Sequence, residues 1–241
     1  MQQCEEVSMN FALRNVLPDR VQPIRILRGP FRGAIIAMNP RNSLRKLVGL
    51  YEHELNGWLK TVLPRVTRVL DVGANDGYFT FGCAAAFCRL RRTGEIVAFE
   101  PQQQHIDELQ ESLGQQAGTT RIRLVQAIVG DAEKPGVTTL DSVKWERGNE
   151  CARTHTLIKI DVEGAELEVL RGAQSWMNAS NYFVIEVHQE PYLEQISRLF
   201  AEHQLRLSRI DQRPLPLLGR EMRSKENWWL VSHLGRGGRV C

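Results

Sequence analysis

Over residues 68–188 the apolar pattern changes period repeatedly, and no other feature limits the fold so tightly. Short runs rich in β-branched residues, at 68–72, 95–100, 122–129, 156–161 and 182–188, read as strands. Between them, helical patterns occupy 78–90, 103–113, 165–171 and 192–203. This alternation builds βαβ units and a mostly parallel α/β sheet. Two later runs, 205–210 and 228–233, are joined by a loop carrying Pro214, Pro216 and Gly219, and they predict an antiparallel pair that finishes the sheet.

Ahead of this core, Leu44, Leu47, Val48, Tyr51, Leu55, Trp58, Leu59 and Val62 recur at helical steps. They place 43–62 on one amphipathic helix that covers the core or roofs its cleft. The chain divides accordingly into an N-terminal appendage, 1–63, and an α/β domain, 64–241. Hydrophobic residues make up 42% of the 241 before the 19 glycines are added, which is ordinary for a chain with a sizeable core. With 31 basic against 28 acidic residues the net charge is +3, too balanced to argue for nucleic acid. Cys4, Cys83, Cys88, Cys151 and Cys241 are scattered without metal-finger spacing and read as free thiols of a reducing compartment. The first residues lack the apolar stretch of a signal peptide. No window approaches the roughly 20 apolar residues of a membrane span. The expectation is a cytoplasmic protein with neither membrane nor nucleic acid as partner, and with a frayed tail, GRGGRVC, at 235–241.

The densest motif is VLDVGANDGYFTFG at 69–82, in which a strand runs into Asp71, Gly73, Asn75 and Gly77 and then into a helix. Such a turn at the carboxyl end of a strand lets a ligand approach the backbone closely. A dinucleotide fingerprint anchored on Gly73 fails, because Asn75 and Tyr78 stand where its other glycines belong. Asp71 and Asp76 would repel a pyrophosphate but attract an ammonium or sulfonium group. S-adenosylmethionine fits those charges better than NAD. Glu100 ends the next strand, where an acid can accept hydrogen bonds from both ribose hydroxyls, a place NAD would use as well. Pro101 begins the following turn, and Gln102, Gln126 and Ala127 lie on the same rim, within reach of an adenine.

A second motif, LIKIDVEGAELEVLRGA at 157–173, ends a strand at Asp161 on that rim. Glu163 and Glu166 read as first-turn carboxylates favoured by the helix dipole. With these segments the sequence resembles the FkbM-type methyltransferases, a branch of the class I S-adenosylmethionine-dependent enzymes. The resemblance is carried by GPFRG (29–33), YEHEL (51–55), VLDVGANDG (69–77), AFEP (98–101), TTLDSV (138–143), KIDVEGAELEVLRGA (159–173) and IEVH (185–188). It implies a doubly wound, seven-stranded Rossmann-like sheet, with S-adenosylmethionine lying across Asp71, Gly73, Asn75, Gly77 and Glu100. It further implies methyl transfer, usually to a hydroxyl of a small molecule, sugar or natural product. The C-terminal third shows no pattern of the family.

An alcohol acceptor must lose a proton, and Asp161, His188 and Glu186 are the expected catalytic groups. Strand alternation turns Glu186 and His188 to one face, next to Asp161. Asp161, Glu163 and His188 could orient an acceptor oxygen on magnesium or manganese, but no ligand spacing forces a metal, and none is expected. Glu52, beside Tyr51 on the N-terminal helix, could close over the methionine end of the cofactor. An NAD-dependent oxidoreductase and a non-catalytic cofactor-binding module stay open as rivals. An amino-directed RNA methyltransferase is disfavoured, since Glu190-Pro191-Tyr192 is too short a match to its signature.

Overall fold

The computed structural model describes residues 17–116, 118–145, 155–215 and 227–234. Pro216, Gly219, Cys4, Cys151, Cys241 and the 235–241 tail lie outside these residues. Cys83 and Cys88 are free thiols.

In chain order the elements are β1 (Gln22–Arg25), β2 (Ile35–Met38), α1 (Leu44–Leu47), α2 (Asn56–Val62), β3 (Val66–Val72), α3 (Tyr78–Arg89), β4 (Glu95–Phe99), α4 (Gln103–Leu113) and β5 (Arg121–Val125). They continue with β6 (Ile128–Val129), β7 (Val137–Thr138), β8 (His155–Ile160), α5 (Glu166–Arg171), β9 (Asn181–Val187), α6 (Glu190–Glu202), β10 (Leu207–Asp211) and β11 (Trp228–Ser232). Seven strands form one sheet in the order β10-β11-β9-β8-β3-β4-β5. The five from β5 to β9 in that order are parallel. The expected antiparallel pair is present, with β11 inserted between β9 and β10 and antiparallel to both.

Alternation along each strand sorts the core into two layers. On one face Val69, Ile96, Ala98, Leu157, Val184 and Trp229 pack with Phe79, Phe81 and Phe87 of α3. On the other, Leu70, Val72, Val97, Ile158, Ile160, Phe183 and Ile185 pack with Leu167 and Leu170 of α5 and Ile196 and Phe200 of α6. The helix α3 is buried almost all round because it has cover on both sides. The sheet lies beneath it, and Phe31 sits above, edge-on to Tyr78 and Phe79. The hairpin β1–β2 that carries Phe31 is tied to α4, where Ala37 N–H donates to Ser112 Oγ at 2.9 Å. From the 56–62 helix, Trp58 Nε1 donates to Ser232 O at 3.1 Å, and Trp229 Nε1 reaches back to Glu54 Oε1 at 3.2 Å. The segment before residue 64 thus shares the core of the sheet.

Two expectations need correction. The single helix over 43–62 is broken: α1 stops at Leu47, and Gly49 (φ +71) and Glu52 (φ +49) adopt left-handed conformations before α2 begins. Gly49 N–H donates to Lys46 O and Leu50 N–H to Arg45 O, the paired bonds of a glycine C-cap. The apolar spacing runs through this break, which is why periodicity alone joins the two pieces. The strand over 122–129 is likewise split. Beyond Val125 its neighbour β4 has already ended, and Ala127 N–H turns back to Val125 O at 3.1 Å. Ile128 and Val129 then pair with Val137 and Thr138 in a separate two-stranded sheet. Among the described residues no helix is long and apolar enough to cross a membrane.

Candidate functional site

The chemistry-bearing residues gather at the carboxyl ends of the parallel strands. After Val72 the chain turns through Gly73 (φ +80), where a Cβ would lie 1.9 Å from Asp161 O. Only glycine lets this loop touch the end of β8. The N–H groups of Gly73 and Ala74 both donate to Phe99 O at 3.0 Å, so the loop rests on β4 as well. Asn75 N–H donates to Glu100 Oε2 at 2.9 Å, and Gln102 N–H to Glu100 Oε1 at 3.0 Å. His105 Nδ1 stands 3.5 Å from the same Oε1. Glu100, 4% exposed, is therefore held from both sides while its oxygens keep further lone pairs.

A cavity of about 670 Å³ opens on this rim. Of the residues expected to bind a cofactor, Gly73, Asn75, Glu100, Pro101, Gln102 and Ala127 line it. Asp71, Gly77, Gln126 and Glu52 do not. Asp71 is wholly buried beneath the loop, its Oδ2 accepting a hydrogen bond from Thr80 Oγ1 at 2.5 Å and its Oδ1 lying 3.7 Å from Lys159 Nζ. It organises the loop from below and has no open path to a ligand ammonium. Asp76 is also engaged, by Lys46 Nζ at 2.5 Å. Gly77 (φ +85) turns the loop into α3, where a Cβ would strike Phe81 and Leu109. Gln126 is exposed at the split end of β5. Glu52 is buried in its left-handed turn, and the cavity-lining residue of that turn is its neighbour Tyr51.

Lys159 was not singled out in the sequence, yet it is the centre of this floor. Its Nζ donates to Gly73 O at 3.1 Å and to Asp161 Oδ2 at 3.0 Å. Burial alone would lower its pKa, but Asp161, Asp71 and Glu52 outweigh burial and hold it above the ordinary lysine value. For Asp71 the balance is reversed: burial raises its pKa, and the attraction of Lys159 and the Thr80 bond only partly offset that. The one sequence signal was parity. Lys159 is the sole charge inside the strand LIKI, two residues from Asp161 and so on its face.

Across the cavity stand Asp161, Glu186 and His188, brought together as alternation required. One ligating atom from each lies within 4.8 Å of the others. His188 Nε2 is 3.7 Å from Asp161 Oδ1. Glu163, which could have joined Asp161 and His188 on a metal, lines the cavity but is outside this cluster. Behind the ring, His188 Nδ1 lies 2.6 Å from Glu166 Oε1. That oxygen also accepts from Gly164 N–H at 3.1 Å and His188 N–H at 3.3 Å, so it is an acceptor and Nδ1 carries the proton. Glu166 is therefore more than a helix-dipole carboxylate: fully buried, it fixes the His188 tautomer and leaves Nε2 with its lone pair. Asn227, another cavity residue missed in the sequence, donates from Nδ2 to Glu186 Oε1 at 2.9 Å.

A seven-stranded sheet of this order, with a glycine loop after its central strand and an acid after the next, defines the class I methyltransferase fold. Within that class, residues 115–214 match the Methyltransferase FkbM domain. It is 27% identical over 154 residues to the hexuronic acid methyltransferase AglP of Haloferax volcanii, an alignment covering 56% of this chain and 62% of that protein. Its fold is similar to the crystal structure of the methyltransferase FkbM from Methylobacillus flagellatus, with a TM-score of 0.52 and 17% identity over 70% of this chain and 44% of that one. The chain thus spans less than two thirds of either relative.

Proposed function

We propose that the protein transfers a methyl group from S-adenosylmethionine to a hydroxyl of a sugar or other small molecule. The observation that carries this reading is one cavity with two unlike ends: the doubly held Glu100 at one, and the Asp161, Glu186 and His188 wall at the other. The residues fit the cofactor. Glu100 has acceptor lone pairs for a ribose diol, and Pro101, Gln102, Ala127 and Ile128 offer a surface for the adenine. Gly73, Asn75 and Tyr51 would flank the methionine end. The cofactor, when bound, supplies an electrophilic methyl carbon whose bond to sulfur breaks as its bond to the acceptor oxygen forms. Asp161, Glu186 and His188 would bind and orient the acceptor hydroxyl and offer the lone pairs to which its proton passes. The likeness to a hexuronic acid methyltransferase favours a sugar acceptor.

Calorimetric titration tests this against the rival readings. S-adenosylhomocysteine should bind in the micromolar range and NAD should not, because a pyrophosphate would meet Glu100, Asp161, Glu163 and Glu186 on the cavity wall. Binding of NAD in preference would overturn the proposal. Mass spectrometry of a sugar panel incubated with S-adenosylmethionine should then show a gain of one methyl. If none of the acceptors is methylated, the non-catalytic module becomes the better reading.

A further inference from the structure

Three features of the acceptor wall go beyond positioning a hydroxyl. First, Asp161, Glu186 and His188 offer two carboxylates and one imidazole whose ligating atoms all lie within 4.8 Å. That span is the diameter of a coordination shell with bonds of about 2.0 to 2.6 Å. Second, Nε2 of His188 has its lone pair free and its ring fixed by Glu166 behind it, the carboxylate–histidine arrangement that orients an imidazole toward a metal. Third, Asn227 is 8% exposed and its Oδ1 has no hydrogen-bond partner among the described residues, although its Nδ2 is bonded to Glu186 beside the cluster. A buried amide oxygen without a partner is destabilising unless something fills its place. The charge balance agrees: Lys159 is the one buried cation of the described residues, and it already faces both Asp71 and Asp161.

We propose that Asp161, Glu186, His188 and Asn227 form a binding site for one divalent cation of the Mn²⁺ type at the acceptor end of the cavity. Oxygen donors with a single imidazole suit Mn²⁺, and Mg²⁺ more weakly. One role and one acceptor preference follow from the position, and both rest on the methyl-transfer reading. The cation would hold the acceptor oxygen, and acceptors with two neighbouring oxygens, such as a vicinal diol or a hydroxy acid, would be preferred.

The test is Mn²⁺ binding to the full chain after chelation and gel filtration, read by electron paramagnetic resonance of the free ion, with S-adenosylhomocysteine binding measured in parallel. One Mn²⁺ per chain should bind with a dissociation constant below about 1 mM. Glu186→Gln and His188→Ala should each weaken it at least tenfold, while both variants still bind S-adenosylhomocysteine, which shows that they are folded. Asn227→Asp keeps the shape and adds a charge, and should tighten Mn²⁺ severalfold. No Mn²⁺ uptake by a chain that binds S-adenosylhomocysteine would overturn the cation site alone. Uptake unchanged in Glu186→Gln and His188→Ala would overturn it too, by placing the ion elsewhere. Uptake that these variants abolish, in a chain without affinity for S-adenosylhomocysteine, would support the cation site and overturn the methyl-transfer reading instead.

Discussion

The contrast between Glu100 and Asp71 shows how two carboxylates acquire different jobs from their neighbours. Both acids end strands on the same rim, but Glu100 is braced by backbone N–H groups with lone pairs left over, whereas Asp71 is enclosed by Thr80 and Lys159. Glu100→Ala should therefore weaken S-adenosylmethionine by on the order of tenfold to a hundredfold, the loss of charge-assisted hydrogen bonds worth about 1.5 to 3 kcal/mol, with little change in melting temperature. Calorimetry checks it, and an unchanged affinity would remove Glu100 from the site. Lys159→Met should act on stability instead. Removing the cation leaves the Asp71 charge buried without its partner, at a cost of about 3 to 5 kcal/mol near neutral pH. The pH dependence has a definite sign. Burial raises the pKa of Asp71 in the folded state, and the loss of Lys159 raises it further, so the native state binds a proton more readily than the unfolded chain does. Stability from such a group is present at acid pH and is lost as pH rises through the raised value. The deficit of Lys159→Met relative to wild type should thus shrink between pH 8 and pH 5 in urea titrations, and a constant deficit would contradict this account.

At the scale of elements, the glycine loop is held between the sheet and the N-terminal segment. Lys46, at the end of the four-residue α1, pairs with Asp76 and lies over the Tyr51 ring at 4.6 Å. A helix this short has no independent stability, so the pair holds α1 as much as it holds the loop. Lys46→Met should raise hydrogen exchange across 73–78 and weaken S-adenosylhomocysteine severalfold while leaving the β8 and β9 amides protected. Exchange confined to α1 would show that the loop does not depend on this contact. The elements themselves were legible wherever periodicity and a boundary signal agreed, as in β3, α3, β4, α4, β8 and β9. The break at Gly49 was not, because Leu47, Tyr51 and Leu55 keep helical spacing across a turn that tertiary contacts impose. Of the site, Asp161, Glu186 and His188 followed from strand parity. Glu166 and Asn227 did not, since buried partnership with a residue 22 or 41 positions away leaves no local pattern, and Lys159 left only its parity with Asp161.

For the whole molecule, the sharing of one core between the N-terminal segment and the sheet decides whether residues 64–241 can stand alone. Ile26, Phe31, Ile36, Leu55, Trp58, Leu59 and Val62 are buried in the same cluster as Phe79, Phe81, Phe87 and Trp229. Each large side chain of that kind contributes about 1.5 to 3 kcal/mol by leaving water, and together they are comparable to the whole net stability of roughly 5 to 15 kcal/mol that a folded protein has. Deleting residues 1–63 would also uncover the outer side of α3, which is apolar nearly all round, and leave Ser112 and Ser232 without Ala37 and Trp58. The truncated chain should bind a hydrophobic dye, lose its near-ultraviolet circular dichroism and melt without a cooperative transition. The full chain should unfold in one step, with tryptophan fluorescence and backbone circular dichroism following the same curve. A soluble 64–241 fragment with a sharp calorimetric transition and retained affinity for S-adenosylhomocysteine would show the reverse: a sheet whose β8–β9 side carries enough of the core to fold by itself, with the N-terminal segment added as a cover.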